Sequence, residues 1–97
     1  MKGSGWRRLT ADDIVQEGKA VLYGLVIRTS VTGGDVSIYD GLDAASGRFI
    51  DTFEGIANES RPISFGPRGI HIDRGIFVDI GSNVDSVLVL YDPVVEE

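Results

Sequence analysis

Apolar and polar residues alternate along most of this chain, and glycine interrupts the alternation at short intervals. Val36 and Ile38 are interleaved with Ser37 and Tyr39, and Ile76, Val78 and Ile80 with Phe77 and Asp79. This is the period-two pattern of strands whose two faces meet different surroundings. Residues 18–29, Gly-Lys-Ala-Val-Leu-Tyr-Gly-Leu-Val-Ile-Arg-Thr, are β-branched and aromatic, which predicts a strand. Further strands are predicted at 35–40, 48–53, 61–65, around Ile70–Ile72, around Ile76–Ile80 and at 84–91. A weaker run lies at 13–16, where a short helix capped by Thr10, with Asp13 three residues on, is the competing local reading. Pro62 cannot donate to a ladder and belongs at a strand start or a sheet edge. A loop of Asp73, Arg74 and Gly75 pairs Ile72 with Ile76 and Ile70 with Val78, which predicts a three-residue hairpin with Gly75 left-handed.

Thirteen glycines in 97 residues leave helix little room. The expected fold is all-β, a small two-sheet sandwich of jelly-roll type with seven to eight short antiparallel strands and an extended N-terminal arm. Residues 1–12 read as the arm, 13–92 as the sandwich and 93–97 as a C-terminal tail.

Two strands carry more apolar surface than one sheet face uses. In the first, strict alternation points Val21, Tyr23, Leu25 and Ile27 one way and Ala20, Leu22 and Val26 the other. In the last, Val87, Val89 and Tyr91 oppose Leu88 and Leu90. A sandwich strand ordinarily has one solvated face, so the second is expected to be covered by an arm, a loop or another subunit. Trp6, the only tryptophan, is followed by Arg7 and Arg8, the composition of an interface anchor. The expected interface residues are therefore Trp6, Arg7, Arg8, Tyr23, Leu25, Ile27, Leu88 and Leu90.

Charge divides the chain. Residues 1–10 hold Lys2, Arg7 and Arg8 and no acid; the rest holds six basic and fifteen acidic residues, a net of −9. An overall charge of −6 argues against wrapping nucleic acid through a basic face and leaves proteins as the expected partners. No run approaches the ~18 apolar residues of a membrane helix, and the start lacks the apolar core of a secretory signal, so neither membrane insertion nor secretion is expected. The absence of cysteine excludes disulfides and thiolate-bound zinc. A Ser-His-Asp set would have to use His71, the only histidine, which falls on an exposed strand face. His71 and Asp73 give two potential metal ligands without a third, and Asp40-Gly-Leu-Asp43 reads as turn chemistry rather than a calcium loop. No catalytic residue, metal ligand or cofactor is expected.

In order and spacing, residues 21–27 (Val-Leu-Tyr-Gly-Leu-Val-Ile), 34–41 (Gly-Asp-Val-Ser-Ile-Tyr-Asp-Gly), Ser46-Gly47 before a strand, 74–81 (Arg-Gly-Ile-Phe-Val-Asp-Ile-Gly) and 87–91 (Val-Leu-Val-Leu-Tyr) resemble small β-sandwich structural proteins of tailed bacteriophage virions. The resemblance spans residues 18–91. It implies a non-enzymatic head protein of the decoration or cement type, made in the host cytoplasm and located in the virion. It also implies a homo-oligomer, with a trimer favoured, that binds the major capsid protein or another virion protein. The alternative is a carbohydrate- or ligand-binding module, for example a tail or adhesion component, with Trp6, Tyr39, Asp40 and Asp43 as its platform.

Overall fold

The computed structural model describes residues 5–30 and 33–94. Met1 to Ser4 of the expected arm, Val31 and Thr32 between the strands predicted at 18–29 and 35–40, and Val95 to Glu97 of the tail lie outside the described residues. The described residues form nine strands: β1 (Gly5–Leu9), β2 (Asp13–Glu17), β3 (Ala20–Thr29), β4 (Asp35–Asp40), β5 (Arg48–Glu54), β6 (Ser60–Ser64), β7 (Ile70–Ile72), β8 (Gly75–Ile80) and β9 (Val84–Pro93). Residues 13–17 are strand and not helix: they pair with β8, and Val15 packs into the core from this edge of the sheet.

The strands make two antiparallel sheets, ordered β1-β9-β3-β6 and β2-β8-β4-β5, with β7 beside β6 against β3. Pairing is nested: β1 with β9, β2 with β8, β3 with β6 and β7, and β4 with β5. The chain is thus a long two-stranded ribbon whose tip is the β4–β5 hairpin. Folding the ribbon over adds β3 to β9 and β4 to β8, and this is the connectivity of a jelly roll. Between the sheets lie Leu22, Leu25, Ile27, Val87 and Val89 from one and Val36, Ile38, Ile76 and Val78 from the other, all without measurable exposure. Face-to-face burial of such residues is the dominant stabilising term in a domain of this size.

Two expectations fail, each for a physical reason. The expected arm is not free: Gly5 to Leu9 pair with Tyr91 to Val87 as an edge strand, and the Leu9 side chain is buried in the core. The expected β7–β8 hairpin does not form, because β7 pairs with β3 in one sheet and β8 with β2 and β4 in the other. Ile72 and Ile76 are both buried, but from opposing sheets. Alternating apolar residues satisfy either arrangement equally well.

Residues 73–74 are a corner, and Asp40 holds it. Its carboxylate accepts the backbone N–H groups of Asp73 at 3.1 Å and Arg74 at 2.9 Å, and the Arg74 carbonyl accepts from Gly18 at 2.9 Å. Gly75 starts β8 here rather than closing a hairpin. The loop at the ribbon tip packs backbone on backbone: a Cβ on Gly41 would lie 2.5 Å from the Gly47 Cα, a space only glycine leaves open.

Candidate interaction surfaces

A bulge decides which residues face outward on the five-stranded sheet. In β3 the register against β9 shifts between Leu22 and Gly24, so that Ala20 and Leu22 before it and Leu25 and Ile27 after it all point into the core. Leu25 and Ile27, expected at an interface, are fully buried, and Val26 takes the outward position. Tyr23, the extra residue, is half-buried against Gly69, beside Val21. Leu88 and Leu90 face outward and are half-buried, opposite in sense to Val87 and Val89.

Register then assembles a surface. Across the sheet, Trp6, Leu90, Gly24 and Ser64 form one row, and Arg8, Leu88, Val26 and Pro62 the next, with Arg28 between Ser86 and Ser60 beyond. Trp6 is 62% exposed. The arm and the second apolar face, expected as separate features, are one continuous surface because β1 lies next to β9. Arg7 does not belong to it. Its register partner Val89 faces the core. Its guanidinium crosses to the other sheet, donating to the Ile14 carbonyl at 2.7 Å and pairing with Asp13 at 2.7 Å.

A second surface lies on the outside of the four-stranded sheet. Phe49, Tyr39, Phe77 and Ile14 stand in one row across β5, β4, β8 and β2. The Tyr39 ring centroid is 5.6 Å from that of Phe49 and 6.2 Å from that of Phe77, in edge-on and tilted contacts of favourable geometry. Phe49 is 54% exposed. The next outward positions are Thr52, Ser37 and Asp79, followed by Glu54 and Asp35, with Asp12 close by Asp79. This row escapes a reading by strand, since each ring alone looks like an ordinary outward residue. An aromatic at an outward position on three strands was the available signal, but it needs the register to be seen.

Burial pushes the Asp79 carboxyl up from its ordinary value of 3.8, and repulsion from Asp12 and Asp35 adds to the effect. A carboxyl held above its unfolded value favours folding while protonated, and that contribution is lost as pH rises through the folded pKa. Asp79→Asn is therefore expected to raise the melting temperature modestly at pH 7, with the gain over wild type shrinking towards pH 3. Thermal melts at the two pH values check this; an unchanged or lower melting temperature at pH 7 would refute it.

The residues of the ligand-binding alternative are not brought together. Trp6 lies outside one sheet and Tyr39 outside the other. Asp40 is buried at the corner, and Asp43 is occupied within its loop by the Ser46 N–H and hydroxyl, both at 2.7 Å. Those bonds hold the Asp43 carboxyl below its ordinary value. His71 is exposed opposite Val21. Among the described residues no three His, Asp or Glu side chains are placed to hold a metal ion. A recess of about 440 Å³ beside the five-stranded sheet is lined by Arg28, Asn58, Glu59, Asp85 and neighbouring hydroxyls, a mainly polar cleft. Comparison of the chain with protein-family models, with curated proteins and with solved structures finds no match.

Proposed function

We propose that this protein is a non-enzymatic structural protein of a phage virion, of the capsid-decoration or cement type. In this reading it attaches through the outer face of its five-stranded sheet to the major capsid protein or another virion protein. The observation that carries the reading is the continuous surface of Trp6, Arg8, Val26, Leu88 and Leu90, with a tryptophan 62% exposed at its edge. Tryptophan and arginine dominate the energetics of protein interfaces, and half-buried aliphatics around them exclude water. The jelly-roll connectivity accords with a virion protein but is shared with lectins and enzymes, so the weight rests on the surface.

The sheet edges point the same way. On edge strand β2 the Ile14 N–H is bonded to the Asp13 carboxylate and the Ile14 carbonyl to Arg7; on edge strand β5 the Thr52 N–H is bonded to Asp51. Edge strand β6 carries Pro62. Such features discourage strand addition at these three edges, which favours the faces for association.

Mass spectrometry of purified phage particles is expected to find the protein in many copies per head. The double variant Trp6→Ala with Arg8→Ala is expected to fold normally and to lose particle occupancy by roughly tenfold or more, the scale of a hot-spot truncation. Arg7→Ala, whose guanidinium is engaged within the chain, is expected to keep it. Full occupancy of the double variant, or a protein absent from particles, would overturn the proposal.

A further inference from the structure

We infer that the aromatic face of the four-stranded sheet docks the Trp6 face of a second copy of this chain, so that copies stack head to tail. The inference rests on the reading of the Trp6 face as a docking surface and adds its second occupant.

The two faces are both apolar at their centres and differ in the charges that flank them. One presents Trp6, Val26, Leu88 and Leu90 with Arg8 and Arg28 between and beside them. The other presents Phe49, Tyr39, Phe77 and Ile14 with Asp79, Asp35 and Glu54 in the rows alongside. On the arginine side, Asp92, opposite Val21, lies beyond the apolar rows. Asp85 and Glu59 sit in the recess beside Arg28. Laying either face on its own copy brings cations towards cations or carboxylates towards carboxylates. Laying one on the other sets Arg8 and Arg28 near Asp79 and Asp35, and an arginine over an aromatic ring gains a cation–π contact as well. A cation placed there would also offset the negative charge that Asp12 and Asp35 bring to Asp79 in the single chain.

Geometry sets the form of the assembly. The two faces look outward from opposite sides of the sandwich, so a contact between unlike faces repeats in line and does not close the three-fold ring that the phage resemblance implies. The copy that seats its Trp6 face on the virion leaves its aromatic face for the next. Four strands about 4.8 Å apart and three rows of side chains make a patch of roughly 400 Å² per copy, about half of what a stable interface buries on each side. Association is therefore weak, concentration-dependent and sensitive to salt.

Sedimentation velocity on the full chain tests this with two variants, Trp6→Ala/Arg8→Glu, which disables one face, and Phe49→Ala/Asp79→Lys, which disables the other. Wild type is expected to gain mass with concentration and to lose it at high salt. Each variant alone is expected to be monomeric, with self-association weakened tenfold or more. Their equimolar mixture is expected to form a one-to-one pair and nothing larger, since one intact face of each kind remains. Association of either variant alone would show a contact between like faces and overturn the inference, as would a monomeric mixture or a wild type monomeric at all concentrations. A monomeric wild type that binds glycans through Phe49 would overturn it in favour of a sugar site. Because all four positions are exposed or half-buried, unfolding is not expected; should a variant unfold, the salt dependence of wild-type mass and an Arg28→Glu variant decide in its place. Particle occupancy separates the two proposals: stacking can fail while the Phe49 variant and wild type still occupy particles, which leaves the function proposed for the Trp6 face intact.

Discussion

Asp40→Ala is expected to remove a large part of the folding free energy, although Asp40 contributes nothing to either outer surface. Its carboxylate is 6% exposed and accepts two backbone N–H groups, those of Asp73 and Arg74, at the corner where the chain leaves one sheet for the other. Hydrogen bonds to a charged group contribute roughly 1.5–3 kcal/mol each, so the truncation costs about 3–5 kcal/mol by losing both bonds and leaving two donors without partners. Small domains have only about 5–15 kcal/mol to lose. Asp40→Asn retains an acceptor oxygen and is expected to cost about half as much. Asp43→Ala, three residues on in the exposed tip loop, loses only bonds that water can replace and is expected to stay within about 1 kcal/mol of wild type. Urea unfolding of the three variants gives the ranking. A change below about 1 kcal/mol for Asp40→Ala would mean that the corner is held by the strands on either side and not by the carboxylate.

That corner also marks where the sequence stops specifying the fold to a reader. Strands are legible wherever a polar residue marks the outward face, as Ser37 does between Val36 and Ile38 or Asp79 between Val78 and Ile80. Sheet membership is not, because Ile72 and Ile76 bury themselves equally well as neighbours in one sheet or as facing residues across the sandwich. The pairing is decided by long-range contacts, Ile72 against Ala20 and Ile76 against Asp40 and Gln16. Asp40 itself reads as a turn residue, and nothing in its neighbourhood shows that it reaches amides more than thirty residues away. Arg7 misleads in the opposite sense: a charged residue beside Trp6 looks like part of the same face, yet its register turns it to the other side of β1, where its half-exposed guanidinium bridges to the edge of the second sheet. The proposed interaction surface is half legible. Leu88 and Leu90 stand out as an apolar surplus and Trp6 as an anchor, whereas the aromatic row of Phe49, Tyr39 and Phe77 exists only once three strands are placed side by side.

The sharpest test of the five-stranded face compares two adjacent residues. Leu22, Tyr23, Gly24, Leu25 and Val26 contain no charged side chain to show where the alternation skips, and simple alternation puts Leu25 outside and Val26 inside. The bulge at Tyr23 reverses this, with Leu25 fully buried and Val26 outward between Leu88 and Pro62. Leu25→Asp would place an unpaired carboxylate between the sheets. Losing the leucine alone costs about 2–5 kcal/mol, and the desolvated charge adds several more, so the variant is expected not to fold at neutral pH. Val26→Asp changes a half-buried residue on a central strand and is expected to cost about 1 kcal/mol through lost strand propensity and packing. It would remain folded, with a sharp urea transition. Its charge would nevertheless sit beside Leu88, two strands from Arg8, in the middle of the proposed docking surface, where desolvating it on contact is unfavourable. Val26→Asp is therefore expected to lose particle occupancy by tenfold or more. Circular dichroism, urea titration and particle binding on the two variants separate the outcomes. A folded Leu25→Asp with an unfolded Val26→Asp would mean that β3 runs without its bulge and that the outer face is built from Leu25 and Ile27.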